Sequence, residues 1–431
     1  METNDKLLAS RRHFLHASAI SAVALPTMLM GCSPNAPEAA SPAGSQARAD
    51  KASIAALQSV KSQVVPITDN ERLERLAKAQ KLMGENKIDA IFVGGGTTLS
   101  YFVGMHWRNT ERMTGMVLPQ SGDPIYVTPT FERSRTQEQL KFGKDVRSWE
   151  EHESPYQRVA EILSDLHIST GTLGIEEQVP YFRSTGIASG APNLTLVSAT
   201  PVIAGCRSIK SPAELALMQL ANDATLAVYH AVYQALESGM TQYQVSELIA
   251  AAYARTGLAG DASVNIGKYS AQPHGSIEPQ HIVDGTVIML DGGCTADGYA
   301  SDITRTMVLG SPSDKMKKVF DIVHQAQAAA LAAARSGKTM ESIDAAARKV
   351  VSDSGYGPDY KYFGHRLGHG IGMDRHEWYY LVRGNTRTLE PNMTFSDEPG
   401  IYIPEEFGVR LEDCMYIAED GAHLFTKPSP S

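Results

Sequence analysis

The stretch TVIMLDGGCTADGYASDITRTMV, residues 286–308, decides the fold of the second half of the chain. Two runs of β-branched and apolar residues flank Asp297-Gly298, a dipeptide typical of tight hairpin turns. Pairing Asp291 with Asp302 centres the hairpin within about one residue of that turn. The two carboxylates are therefore expected to face each other, with Cβ atoms roughly 5 Å apart. Because like charges this close are costly, a cation between them is the natural interpretation.

Three further strings carry groups of similar chemistry: GHGIG around His369, DEPGIY around Glu398 and VRLED around Glu412. With the two aspartates they make four carboxylates and one imidazole, which suit Mn2+ or another first-row divalent ion better than a thiolate-type structural zinc site. Co2+ and Zn2+ are alternatives. An aspartate at a strand end is more often a turn or cap residue, but five matches of type, order and local string favour a site for two divalent ions.

The string VRLEDCMYI predicts one continuous strand near the C-terminus. Side chains of a strand alternate between its two faces, so Arg410, Glu412 and Cys414 should share one face. This alternation predicts that Glu412 reaches the metals while Arg410 holds Glu412 in place.

Together these strings resemble the M24 metallopeptidases, specifically the Xaa-Pro branch of aminopeptidase P and prolidase, over roughly residues 66–425. The resemblance implies an α+β fold, in which a creatinase-like N-terminal α/β domain (66–205) is followed by a pita-bread catalytic domain (206–431). Strand candidates such as IDAIFVGG alternate with helical patterns before residue 205, as such an N-terminal domain requires. The string SPAE, residues 211–214, predicts a capping box at the start of the catalytic domain.

The resemblance also implies how the ligands divide between the two ions. Asp291 would chelate one ion, His369 and Glu398 would bind the other, and Asp302 and Glu412 would bridge the pair.

Five other residues match the family's pattern around the metals. The resemblance implies that His274, His365 and His376 contact the substrate or stabilise the tetrahedral intermediate, and that Tyr402 and Arg410 support the ligands. Each histidine could instead be a hydrogen-bonding residue of a turn.

The expected mechanism is attack by a metal-bridging hydroxide on a peptide carbonyl, because bound ions lower the pKa of water toward about 7. Glu398 is assigned the transfer of a proton to the leaving nitrogen. His376, with His274 and His365 nearby, is assigned to the oxyanion and substrate side.

The substrates implied by the resemblance are short proline-containing peptides cut at the Xaa-Pro bond, although no spacing encodes a proline pocket. Trp378 and Tyr379 depart from the family's pattern and leave the size of the pocket open. Arg383 and Arg387 either hold a substrate carboxylate or are solvated loop charges. The alternatives are a related hydrolase acting on another amide or ester, and a catalytically inactive pita-bread binding module.

Length and composition fit a large two-domain enzyme. The chain has 431 residues, 42% of them hydrophobic, and a formal net charge of -9. This acidic balance argues against a nucleic-acid partner. A homo-oligomer, either a dimer or a tetramer, is expected. Cys206, Cys294 and Cys414 have no regular spacing, so they predict buried thiols rather than a disulfide framework.

The N-terminus predicts export. Residues 1–32 resemble a twin-arginine signal peptide, with Arg11-Arg12 ahead of an apolar stretch too short to span a membrane comfortably. The string LMGC at its end resembles a lipobox, so a periplasmic lipoprotein anchored through Cys32 is expected, with release into the periplasm as the alternative. Residues 33–65, rich in Ala, Ser, Pro and Gln, predict a flexible linker.

Overall fold

A computed structural model of the protein describes residues 51–430. The predicted signal peptide, residues 1–32, lies outside the described residues, as do residues 33–50 of the predicted linker. None of the helices between residues 51 and 430 is both long and apolar enough to cross a membrane. Export and lipid attachment at Cys32 therefore stay predictions.

The prediction of a flexible linker is wrong for residues 51–65, which pack on the catalytic domain. A short helix, α1 (Ala52–Ala55), buries Ile54 completely in the core of that domain. The Ser53 hydroxyl donates to the Ala231 carbonyl at 2.8 Å, and the Val60 N–H donates to the Thr256 carbonyl at 2.9 Å. The Ala- and Ser-rich composition suggested a linker because the few apolar side chains in this stretch make their contacts only in the tertiary structure.

The N-terminal domain is built on a six-stranded mixed sheet. Its strands are β1 (Ala90–Gly94), β2 (Gly115–Pro119), β3 (Ile125–Pro129), β4 (Val146–Trp149), β5 (Gly171–Ile175) and β6 (Leu194–Ser198). They lie in the order β4-β3-β2-β1-β5-β6, with β1 antiparallel to β2 and parallel to β5. In β1, Ile91 and Val93 enter one hydrophobic cluster while Ala90 and Phe92 enter another, so both faces of the sheet are covered.

Six helices accompany this sheet. They are α2 (Asp69–Asn86), α3 (Thr97–Val103), α4 (Arg133–Glu138), α5 (Pro155–Asp165), α6 (Tyr181–Gly190) and α7 (Thr200–Arg207). The Thr68 hydroxyl caps α2 by accepting from the Glu71 N–H at 3.2 Å. The predicted boundary between residues 205 and 206 falls inside α7, and the chain leaves the N-terminal domain only after Arg207.

The catalytic domain combines two pairs of helices with curved antiparallel sheets. The helices are α8 (Pro212–Ala235), α9 (Gln242–Thr256), α10 (Asp314–Ala333) and α11 (Met340–Val351). The first sheet has the order β10-β8-β7, with β9 on β8; its strands are β7 (Ala259–Ile266), β8 (Val287–Ala296), β9 (Tyr299–Ala300) and β10 (Ile303–Val308). Helices α8 and α9 share one hydrophobic cluster with this sheet, and α10 and α11 share a second cluster with the strands that follow.

Those later strands form two sheets. A five-stranded sheet contains β11 (Gly368–Gly370), β12 (Glu377–Leu381), β13 (Thr394–Asp397), β16 (Asp413–Ala418) and β17 (Gly421–Leu424). A two-stranded ribbon contains β14 (Gly400–Ile403) and β15 (Phe407–Arg410). The arrangement has the expected α+β architecture.

The predicted capping box of α8 is confirmed. The Glu214 N–H donates to the Ser211 hydroxyl at 3.2 Å, and the Ser211 N–H donates to Glu214 Oε2 at 2.7 Å. Pro212 occupies the first turn, where its missing N–H costs nothing. The cap therefore marks where α8, the first long helix of the catalytic domain, begins.

Candidate metal centre

The hairpin of β8, β9 and β10 turns one residue later than predicted. Asp297 and Gly298 both have positive φ, of 45° and 84°, as a two-residue hairpin turn requires. Asp291 therefore pairs with Thr304 rather than with Asp302, and the prediction that the two aspartates are directly opposite is wrong. Since Asp302 precedes Thr304 by two residues, it remains on the same face as a diagonal neighbour of Asp291.

The predicted continuous strand at VRLEDCMYI is also interrupted. It divides into β15 and β16, and Leu411 and Glu412 lie between them. Glu412 forms an isolated bridge to β10, in which its N–H donates to the Thr304 carbonyl at 3.1 Å. The break places Glu412 against Thr304 and so against the aspartates.

The structure brings all five predicted ligands together. Their side-chain oxygen and nitrogen atoms form three overlapping groups, in each of which the atoms lie within 4.8 Å of one another. The groups are Asp291, Asp302 and Glu412; His369, Glu398 and Glu412; and Asp302, His369 and His376. Carboxylate oxygens and an imidazole nitrogen converging in this way fit first-row divalent ions.

A threonine that the sequence analysis missed connects the carboxylates. The Thr304 hydroxyl lies 2.6 Å from Glu412 Oε2 and 3.1 Å from Asp291 Oδ1, and it accepts from Arg410 Nε at 3.0 Å. Arg410 Nη2 donates to Asp291 Oδ2 at 2.5 Å. Arg410 therefore braces Asp291 directly and reaches Glu412 only through Thr304, which corrects the predicted pairing. The spacing of two residues from Asp302 is the sequence signal that could have placed Thr304 on the ligand face.

His369 is oriented as a metal ligand. Its Nδ1 donates to the Gly370 carbonyl at 3.0 Å, which leaves the lone pair of Nε2 facing Glu398 Oε1 at 3.3 Å. Burial is the main cause that lowers the pKa of His369 to about 3, so the ring is neutral. The Ser396 hydroxyl accepts from the His369 N–H at 3.0 Å and donates to Glu398 Oε1 at 3.1 Å, so it holds both ligands.

The carboxylates destabilise one another when they are charged. Burial, followed by the charges of Asp291 and Glu398, raises the pKa of Asp302 to about 8. Burial and neighbouring carboxylates also raise the pKa values of Glu398 and Glu412 well above the ordinary range. Bound cations reverse such shifts, so the donor set fits divalent metal ions in both its chemistry and its electrostatics.

His365, Tyr402 and Arg410 form a hydrogen-bonded chain beside the ligands. His365 Nδ1 donates to the Arg366 carbonyl at 2.8 Å, so its Nε2 accepts from the Tyr402 hydroxyl at 2.7 Å. Arg410 Nη1 donates to the same hydroxyl at 2.9 Å. Burial is the largest cause lowering the pKa of His365 to about 3, and the ring is therefore neutral. Its Nδ1 lies 3.9 Å from Glu398 Oε2.

The other two predicted histidines are exposed. The His376 ring stacks on His369, with centroids 3.8 Å apart and an interplanar angle of 25°. His274 makes no side-chain hydrogen bond or ion pair to any residue in the range 51–430. After burial and nearby arginines, His274 is one of the groups that lower the pKa values of His365 and His376.

The four residues named for the pocket have partners of their own. Trp378 Nε1 donates to Glu177 Oε2 of the N-terminal domain at 2.7 Å. Two arginines that could hold a substrate carboxylate are also engaged: Arg383 pairs with Asp359 at 2.6 Å, and the guanidinium of Arg387 lies 3.9 Å from the centre of the Tyr379 ring.

The three cysteines in the described part of the chain are free and buried, as predicted. Cys414 holds the backbone of a ligand, because its Sγ accepts from the Asp302 N–H at 3.3 Å and donates to the Asp302 carbonyl at 3.1 Å.

Comparison with known proteins agrees with this geometry. Residues 216–419 match the model of metallopeptidase family M24, and residues 75–209 match the creatinase/prolidase N-terminal domain. The chain is 32% identical to the Xaa-Pro dipeptidase of Lactobacillus delbrueckii subsp. lactis over 361 residues, which cover 82% of this chain and 97% of the relative. It is 33% identical to the Xaa-Pro dipeptidase of Pyrococcus furiosus over 359 residues, covering 82% and 98%.

A solved structure shares the fold. The crystal structure of dipeptidase PepE from Mycobacterium ulcerans superposes with a TM-score of 0.78 at 32% identity, covering 85% of this chain and 98% of that one. The expected fold, a creatinase-like N-terminal domain ahead of a pita-bread domain, is thereby confirmed. The chain belongs to metallopeptidase family M24 and is a metallopeptidase of its prolidase-like branch.

Proposed function

We propose that the protein hydrolyses the Xaa-Pro bond of short peptides with two divalent ions, Mn2+ in first place, held by the five ligands. The observation that carries this proposal is the convergence of their ligand atoms in overlapping groups, each within 4.8 Å. The Xaa-Pro dipeptidases among the relatives support the choice of bond.

In this proposal all five residues would hold the ions: Asp291 would hold one, His369 and Glu398 would hold the other, and Asp302 and Glu412 would serve both. Two ions in this set would polarise the scissile carbonyl and supply a water that ionises near neutral pH.

The remaining steps belong to the chain's own residues. Glu398 is within 3.3 Å of His369 and accepts from the Ser396 hydroxyl at 3.1 Å, so it is fixed in place to carry a proton to the leaving nitrogen. His376 stabilises the oxyanion, since its exposed ring stacks on His369 and is open to a substrate.

His365 acts through a neutral ring. Held by the Tyr402 hydroxyl, to which Arg410 donates, it presents no charge to the substrate and keeps a fixed orientation beside Glu398. His274 contacts the substrate from the same side.

A substrate and metal panel tests the proposal. Chelator-treated protein would be reloaded with Mn2+, Co2+, Zn2+ or Fe2+ and assayed on Xaa-Pro dipeptides, Xaa-Pro-Yaa tripeptides and matched peptides with Ala in place of Pro. We expect metal-dependent turnover that favours the proline peptides. Equal turnover of the alanine peptides would point to the alternative of a related hydrolase with another amide or ester substrate. Less than about one equivalent of bound metal after loading would favour an inactive binding module.

Export and assembly are part of the proposal and rest on the sequence. We expect the protein in the membrane fraction, on the periplasmic side and anchored through Cys32. Cys32→Ser should release it from that fraction, and replacing Arg11 and Arg12 with lysine should retain it in the cytoplasm. Scattering of the purified protein would test whether it is a dimer or a tetramer, and a monomer would contradict that expectation.

A further inference from the structure

The segment that carries His376 is held by contacts of residues other than the histidine itself. Residues 371–378, called here the histidine segment, run from the end of β11 into β12. Within residues 51–430, no hydrogen bond or ion pair fixes the His376 imidazole, whose ring only stacks on His369. The position of this ring therefore depends on the backbone that carries it.

The N-terminal domain supplies one anchor of that backbone, in addition to the contacts that Arg375 makes with Asp261 and the Gly293 carbonyl of the catalytic domain. Arg207, the last residue of α7, is only 1% exposed. Its Nη2 donates to Asp374 Oδ2 at 2.8 Å and pairs with Glu377 Oε1. One guanidinium therefore contacts the histidine segment on both sides of His376. Its Nη1 donates to the Thr98 hydroxyl at 3.0 Å, which fixes the arginine within its own domain.

Further contacts complete the same anchor. Lys210 Nζ donates to Glu377 Oε2 at 3.1 Å and to the Arg207 carbonyl at 2.6 Å. The Thr97 hydroxyl donates to Asp374 Oδ1 at 2.7 Å. The packing is close, because a Cβ atom at Gly372 would lie 2.7 Å from both Glu377 Oε2 and Lys210 Cε.

The energetics favour a geometric role for these charges. Taking ions out of water is costly, and apolar side chains of similar volume stabilise an interface as well or better. A paired, hydrogen-bonded cluster instead fixes one arrangement of the groups that it joins. Arg207 and Glu377 are both buried, so the cluster holds the domain junction and the histidine segment in a single register.

We propose that Arg207 is a positioning residue for His376. Through Asp374 and Glu377 it fixes the backbone on either side of the histidine, and so holds the imidazole over the ligands. The N-terminal domain contributes none of the five predicted ligands, yet it contributes to turnover in this way. The inference rests on the role given to His376 in the proposed function.

The chain offers a matched control in Arg75. It is also a buried arginine of the N-terminal domain, 5% exposed, and it also pairs with the catalytic domain, through Glu214 at 3.4 Å. Its partners in the catalytic domain, Glu214 and Tyr299, lie outside the histidine segment. Arg75→Met therefore removes a comparable ion pair between the domains without touching the backbone of His376.

The first test is a double-mutant cycle. Arg207→Met and Arg75→Met would be measured alone and in a His376→Ala background, with metal content and thermal unfolding recorded for each. For Arg207→Met we expect kcat to fall roughly 10- to 100-fold, with KM and metal content changing little, because small misplacements of a catalytic group have effects of this size. In the His376→Ala background we expect no further fall. Arg75→Met should retain wild-type kcat.

Two results of this cycle would overturn the proposal. One is an Arg207→Met variant with wild-type kcat, and the other is a fall that is equally large without His376. If Arg207→Met does not fold, the half-buried Asp374→Asn takes its place, with the same expected dependence on His376 and the same overturning outcomes.

A second readout needs no substrate. Modification of His376 by diethyl pyrocarbonate, followed by mass spectrometry, reports how freely the ring leaves its stack on His369. We expect Arg207→Met to raise this rate several-fold and Arg75→Met to leave it unchanged. Equal rates in all three proteins would overturn the positioning role. Because this rate is measured without turnover, it separates that failure from a failure of the proposed Xaa-Pro activity.

Discussion

The predicted metal ligands and His376 meet in one site but are held in different ways. The ligands are fixed from within the catalytic domain, by strand pairing and by the hydroxyls of Thr304 and Ser396. The exposed ring of His376 is carried by a segment that Arg207 anchors from the N-terminal domain. The proposed role of Arg207 predicts that a shift between the domains disturbs the histidine more than the predicted ligands. This difference separates the residues predicted to bind the metal from the residue proposed to act on the substrate.

The largest expected effect is at a predicted bridging ligand. Glu412→Ala should abolish turnover and lower the metal content, because losing even a residue that supports a ligand costs about 10- to 100-fold and losing a ligand should cost more. Turnover assays with metal analysis would measure both, and exposed Glu419→Ala is the control. A Glu412→Ala enzyme with the wild-type rate would remove Glu412 from the ligand set.

His376→Ala tests the other side of the comparison. We expect kcat to fall roughly 100-fold or more, since groups that assist proton transfer or an oxyanion contribute on this scale, while metal content stays the same. Exposed His281→Ala is the control. Loss of metal together with activity would break the comparison, because it would make His376 a ligand alongside Asp302 and His369.

A smaller effect is expected where the ligands are supported. Thr304→Val keeps the side-chain shape but removes the hydroxyl between Glu412 and Asp291, so metal affinity should fall by about 10- to 100-fold. Calorimetric metal titration would measure this change. The control is Thr295→Val, since the Thr295 hydroxyl makes no hydrogen bond within residues 51–430. Unchanged affinity in Thr304→Val would mean that strand pairing alone fixes the carboxylates.

The smallest effect should appear only in acid. Burial opposes the charge of Glu377, but Arg207 and Lys210 outweigh it and lower the pKa of this carboxyl to about 2. Since the unfolded pKa is about 4.3, its contribution to the free energy of unfolding is present above that pH and is lost as the pH falls toward about 2. The contribution is at most about 3 kcal/mol.

Glu377→Gln removes this titration. Urea unfolding measured between about pH 4.3 and 2 should show a shallower loss of stability with falling pH in the variant than in the wild type. Parallel curves would show that the anchor of the histidine segment does not depend on the charge of Glu377.

The two regions also differ in how far the sequence predicted them. The predicted ligands lie in short strings within strands and turns, so residue type, local order and the resemblance of those strings to a known family named them. The predicted centre of the hairpin was wrong by one residue, because the φ angles of Asp297 and Gly298 fix where the chain reverses. Period-two spacing kept Asp302 on the correct face despite that error.

The anchor of the histidine segment left no local signal. Arg207 and Glu377 are 170 residues apart, and each alone resembles an ordinary surface charge. Their pairing exists only once the two domains are packed together. The same reason explains the error at residues 51–65, where Ile54 finds its neighbours only in the folded catalytic domain.

The burial of Ile54 limits how far the chain can be shortened from its N-terminal side without loss of core contacts. Trimming the chain back to residue 66 would strip the Ser53 contact with Ala231 and open a cavity beside α8. A truncation that removes Ile54 therefore takes away part of the catalytic core, although this residue lies well before the N-terminal domain.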